Sequence, residues 1–165
     1  MLTPFEYREQ WAPHMMRAMF TSIVVGTDGS DTAKEAVRQA TELAKSLSAQ
    51  LNVVSAYEPV PEGRLRAERQ DAPADLEWSI NPREDVESTL NVAAEGIREV
   101  GVSVEIFARE GDAADAILDV AEETGADLIV VGNKGMTGAK RFLLGSVPNK
   151  VSHHAPCSVL IIRTT

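Results

Sequence analysis

The chain has 165 residues, 44% of them hydrophobic, enough for one domain that buries its own core without covalent staples. Its formal net charge of -9 argues against broad attraction to nucleic acid or anionic lipid, and no apolar run approaches the roughly 20 residues needed to span a bilayer. The single cysteine, Cys157, sits in an apolar run; it excludes a disulfide framework within one chain and suits a reducing cytoplasm, where it serves as a small core residue.

Residues 1–20 carry Glu6, Arg8, Glu9 and two prolines where a secretory signal requires a basic start and an unbroken apolar stretch, so export is not expected. Met15, Met16 and Met19 just precede the first strand pattern, which leaves an internal start open. Phe5, Tyr7 and Trp11 are unusual in a free tail. A segment that docks on a partner and a flexible or misassigned end both stand as readings of this extension.

From residue 21 onward, strand and helix patterns alternate through one domain covering 21–165. TSIVVGT is a β-branched strand; DTAKEAVRQATELAKSL sets Ala33, Ala36, Val37, Ala40, Leu43, Ala44 and Leu47 on one helical face; LNVVSAY is a second strand. The stretch between Tyr57 and Pro82 is irregular, rich in proline and charge, and too long for a plain connection. It reads as a lid, an interaction surface or a variable excursion, with Trp78 packed on the body. A second helix follows through Val86, Leu90, Ala93, Ile97 and Val100, then VSVEIFA (102–108) as third strand. GDAADAILDVAEETG is a helix, ADLIVVG a wholly apolar fourth strand, SVPNKVSHH a helix and CSVLIIR the fifth strand. Regular alternation of five strands and four helices predicts an α/β fold, an open parallel sheet with helices on both faces.

One segment carries chemistry. In DLIVVGNKGMTGAKRFLLGSV, Gly132 and Gly135 lie three apart behind the apolar strand, and Gly145-Ser146 opens the next helix. Glycines let backbone N–H groups approach an anion unobstructed, and the first N–H groups of a helix lack partners and carry partial positive charge. The span lacks the Gly-Lys-Ser/Thr ending of a Walker loop and the compact G-x-G-x-x-G turn. Lys134, Lys140 and Arg141 add positive charge to it, suited to phosphates or simply solvated. His153 and His154 fall at the far end of the last helix, where surface cations favoured by the helix dipole are expected rather than catalysts. No Cys/His metal spacing, no local signature of a Ser-His-Asp set and no positioned base for a hydrolase is read.

The spacing of these glycines and Ser146, after the penultimate strand, resembles the nucleotide-binding signature of the universal stress protein family. So do SIVVGTDGSDTAKEAV at the front and APCSVLIIRTT at the end, so that the resemblance spans roughly residues 21 to 165. It implies a flavodoxin-like strand order 3-2-1-4-5. Ligands of such sheets bind beyond the strand ends where the order reverses, here between strands 1 and 4, which is where Gly26 to Gly29 and Gly132 to Gly135 fall. The resemblance further implies backbone contacts to adenine from Ala56 and Val131, a base pocket lined by Gly26 and Thr27, and nucleotide contacts from Gly132, Asn133, Gly135, Gly145, Ser146 and Val147. Asp28 would touch the ribose or a metal; it could also cap the first helix, but Ser30 or Asp31 can do that instead. Ser146 would reach a β- or γ-phosphate, or act only as a cap.

The function expected from this is adenine-nucleotide binding in the cytoplasm: ATP, with Mg²⁺ as a possible companion at Asp28, held as sensor or buffer. Gly26 stands where many family members carry proline, and with GTDGSD and GSVP this looks closer to a branch that prefers cyclic AMP. Cyclic AMP or AMP in the same site, a slow ATPase, and a dimeric interaction module with an incidental nucleotide therefore stay open. An electron-transfer flavoprotein has no support beyond the fold. Neither nucleic acid nor membrane is an expected partner. The apolar fifth strand, Cys157 to Arg163, would lie bare at the sheet edge and predicts a homodimer paired through it.

Overall fold

The computed structural model describes residues 19–59, 82–133 and 144–164. Five strands form one parallel sheet: β1 (Ser22–Gly26), β2 (Gln50–Tyr57), β3 (Val104–Glu110), β4 (Leu128–Gly132) and β5 (Ser158–Ile162), in the order β3-β2-β1-β4-β5. Between them run α1 (Asp31–Leu47), α2 (Pro82–Glu99), α3 (Ala113–Glu123) and α4 (Ser146–His154). Residues 60–81 of the irregular stretch, Trp78 among them, the aromatic residues of the first eighteen, and Lys134, Gly135, Lys140 and Arg141 lie outside the described residues.

Helices on both faces explain why β1 and β4 read as continuous apolar runs: Ile23, Val24, Val25, Ile129 and Val130 are all fully buried. One face packs Ile23, Val25, Leu51, Val53, Leu128 and Val130 under α1 and α2, through Ala36, Ala40, Leu90 and Ile97. The other packs Val24, Val54, Ile129 and Val131 under α3 and α4, through Ile117, Val120, Ala121 and Val151. Phe20, assigned from the sequence to the extension, already packs against the first of these clusters.

The third strand starts two residues later than its apolar alternation suggests. Val102 is buried, yet it belongs to the turn that ends α2, where its N–H donates to Ile97 O and that of Gly101 to Arg98 O. At its other end β3 runs on to Glu110, because β2 continues beside it as far as Tyr57.

At the amino end of the sheet the Asp127 carboxylate gathers the entry of β1. It accepts hydrogen bonds from Thr21 N (2.9 and 3.1 Å to its two oxygens), Thr21 Oγ1 (2.9 Å) and Ser22 N (3.1 Å). Burial pushes its pKa up, but the donors of Thr21 and Ser22 outweigh that and hold it below the ordinary carboxylate value. A depressed folded-state pKa contributes stability that is present above the unfolded pKa of about 3.9 and lost as pH falls through the folded value. Asp127→Asn is therefore expected to lower stability at pH 7 by about 1–3 kcal/mol and to flatten the acid limb of the profile. Urea midpoints at neutral and acid pH check this; a wild-type protein no more acid-sensitive than the variant would refute it.

Candidate functional site

At the opposite, carboxyl end of the sheet a half-open cleft lies between the tips of β1 and β4. Gly26, Thr27 and Asp28 leave β1 along one side, and Val131 and Gly132 end β4 on the other. Val54 and Ala56 of β2 complete an apolar floor with Ile117 of α3. The walls are the first turns of α3 and α4, through Ala113, Val147 and Pro148, with Ala33 of α1 at the rim. This is the place where the strand order reverses, because β1 leads by way of α1 to β2 on one side and lies beside β4 on the other.

The turn after β1 is built by its own polar residues. Thr27 N donates to Val54 O at 2.9 Å, keeping the ends of β1 and β2 together. Asp28 Oδ1 accepts from Ser30 N (3.0 Å) and from Ser30 Oγ (2.5 Å), and Ser30 Oγ in turn accepts from Ala33 N (3.2 Å). Ser30 is thus the N-cap of α1, while exposed Asp28 shapes the loop with one carboxylate oxygen. Gly29 has φ +76°, where a β-carbon would be strained and would also sit 3.2 Å from Thr89 Cγ2.

Three helix starts, those of α1, α3 and α4, border the cleft, and they are chemically unlike. Ser30 caps α1. Asp112 caps α3, accepting from Ala114 N (3.0 Å) and Asp115 N (3.2 Å), and its carboxyl is held below the ordinary value by the Asp115 backbone donor and the Lys150 ammonium against a cost of burial. Helix α4 starts at Gly145 with no side-chain cap and no acidic residue in its first turn. Its leading N–H groups, those of Ser146 and Val147, have no carbonyl one turn back within the helix. An anion is favoured there and disfavoured at α3. Lys150 of α4 reaches back to Asp115 (2.7 Å) and Asp112 (3.2 Å), tying the two walls of the cleft together. Both carboxylates raise its pKa, Asp115 the more.

Of the residues singled out in the sequence, Gly26, Thr27, Asp28, Ala56, Val131, Gly132 and Val147 line this one cleft, with Gly145 and Ser146 at the adjoining helix start. Gly135 falls outside the described residues. Asn133 is held by its neighbours: its Oδ1 accepts from Thr164 N and Thr164 Oγ1, both at 2.9 Å, its N–H donates to Ile162 O and its carbonyl accepts from Gly145 N. It buttons the end of β5 to β4 and leads the chain into α4. His153 and His154 stand exposed in the last turn of α4. Sequence reasoning did not pick out Ala33, Val54, Ala113, Ile117 and Pro148 as lining residues. Among the described residues no cluster of His, Cys, Asp and Glu is placed to hold a metal, and Asp28 is the one carboxylate of the described lining. No helix among them is long and apolar enough to cross a membrane.

Comparison with known proteins agrees with this architecture. The family model described as the universal stress protein family matches residues 19–163. The universal stress protein Rv1636 of Mycobacterium tuberculosis is 37% identical over 147 residues, covering 88% of this chain and 98% of the relative. A crystal structure of a universal stress protein in complex with cAMP superposes with a TM-score of 0.65 at 31% identity, over 88% of this chain and 98% of that one. The universal stress protein UspA from Lactobacillus plantarum gives a TM-score of 0.70 at 25% identity, over 87% and 97%.

Proposed function

The chain belongs to the universal stress protein family, and we propose that it binds an adenine nucleotide in the cleft between the ends of β1 and β4, with the base on the apolar floor and a phosphate on the start of α4. The observation that carries the reading is the contrast among helix starts: of the three at the cleft, the one with neither a side-chain cap nor an acidic residue in its first turn is that of α4. The floor of Val54, Ala56, Ile117 and Val131 offers an apolar partner to a purine. Asp28 has a carboxylate oxygen beyond the one engaged by Ser30, in reach of the rim where a ribose would lie.

A universal stress protein 31% identical to this chain was solved in complex with cAMP, which supports cyclic AMP as the form bound. That ligand needs one anion site, which the start of α4 supplies. ATP, held as sensor or buffer, would need phosphate donors beyond those that the described residues offer, and Mg²⁺ would then come with the nucleotide and meet Asp28. Turnover is expected to be very slow, since Asp28 is the one carboxylate of the described lining and no second acid or base stands with it there. The decisive experiment is mass spectrometry of nucleotide released from the denatured protein, followed by calorimetric titration with cyclic AMP, AMP and Mg-ATP. One nucleotide bound per chain is expected, and absence of binding by all three at millimolar concentration overturns the reading.

The chain is further proposed to pair with a second copy through β5. Leu160 and Ile161 are 39% and 37% exposed on this edge strand, and β5 has no proline or inward charge to keep another strand away.

A further inference from the structure

We propose that Ile117 sets the depth of the base end of the cleft, and that it can occupy its place only because residue 26 has no side chain. The inference rests on the nucleotide reading above and names the residue that would govern which bases fit. A Cβ built on Gly26 would lie 2.5 Å from Ile117 Cδ1 and 3.0 Å from Ile117 Cγ1. Non-bonded carbons settle at about 3.5–4.0 Å, so the δ-methyl of Ile117 fills the volume that a side chain at 26 would need. Backbone freedom is not the reason for the glycine: the positive-φ glycines among the described residues are Gly29, Gly101, Gly111 and Gly125, and Gly26 is ordinary strand.

Ile117 faces two ways. It is 3% exposed and belongs to the buried cluster of Val24, Val54, Val120 and Val131, yet it also lines the cleft. The atom struck first is the far end of the Ile117 side chain, so a side chain at 26 would move Ile117 rather than the sheet, and the empty space above the floor is open to it. That space is where the purine would lie. Small residues at 26 and a long one at 117 therefore act as a pair: the first admits the second, and the second fixes how much room remains for substituents on the base.

The test is a double-variant cycle. Wild type, Gly26→Ala, Ile117→Val and the double variant are titrated with AMP, cyclic AMP and the N6-methyl and 2-methyl derivatives of each. Valine lacks the δ-methyl that the alanine would strike. Gly26→Ala is expected to weaken the unmodified nucleotide by about tenfold or more, the double variant to return within about threefold of wild type, and Ile117→Val alone to improve at least one methylated base relative to its parent by about threefold. Gly26→Ala binding as wild type, a double variant no better than Gly26→Ala, or an unchanged base preference in Ile117→Val overturns the proposal. If Gly26→Ala does not fold by circular dichroism, the base preference of Ile117→Val decides alone. If wild type binds none of the nucleotides, the functional reading fails instead. Melting temperatures then judge the pair: a loss in Gly26→Ala regained in the double variant supports the steric coupling, and simple additivity refutes it.

Discussion

Gly145→Asp is expected to make the protein slightly more stable and to abolish nucleotide binding. Gly145 is the N-cap of α4, with φ -60° and ψ 163°, a conformation any residue adopts. An aspartate there caps well, gaining a few tenths of a kcal/mol over glycine and complementing the helix dipole. Pro148 has no N–H to offer at the third helical position, so the new carboxylate would take the N–H of Val147, the donor proposed for phosphate. It would also stand beside that phosphate as a like charge. At about 4–6 Å and an effective dielectric near 20, the repulsion costs about 3–4 kcal/mol, a loss of a hundredfold or more. Gly145→Asn caps without the charge and should fall between. Calorimetry and urea midpoints on the three proteins separate the effects, and undiminished binding by Gly145→Asp would place the phosphate elsewhere.

Ile161→Pro is expected to turn a dimer into a folded monomer. Along a strand, the N–H and C=O of one residue point to the same side and alternate from residue to residue. Ile162 O accepts from Asn133 N, so the polar groups of Ile162 and Leu160 point toward β4, while those of Val159 and Ile161 point to the open edge. Proline at 161 therefore removes an outward donor and leaves the pairing with β4 intact. Light scattering at micromolar concentration should show twice the chain mass for wild type and one chain for the variant, both with native circular dichroism. A monomeric wild type would mean that the edge is not an interface between copies.

The fold was legible because parallel sheets write themselves plainly. ADLIVVG could only be a strand covered on both faces, and Ile129, Val130 and Val131 are buried as that requires. Boundaries suffered where two structures compete for one residue. Val102 looks like the first apolar position of a strand and is in fact the hydrophobic close of α2. Arg109 and Glu110 carry no strand signal, yet pair with Ala56 and Tyr57 because an edge tolerates charge. At the site, the glycines and Asp28 announce themselves by type. Ile117 and Ala113 do not, since an apolar residue on a helix facing a sheet looks the same whether it meets another side chain or an opening. Only the placing of the first turns of α3 beside the ends of β1 and β2 separates the two cases.

The cleft is made by strands that meet late. β1 is near the start of the described chain and β4 near its end; the bond between Thr21 and Asp127, which secures their neighbourhood, closes over 106 residues. During synthesis β1 can pair with β2 long before β4 emerges, and α4, which supplies the proposed phosphate donors, follows later still. No amino-terminal fragment that stops short of α4 possesses the proposed site. A nucleotide can therefore neither nucleate folding nor rescue a truncated chain: it would lock a molecule already complete, slowing its unfolding while leaving its rate of folding unchanged.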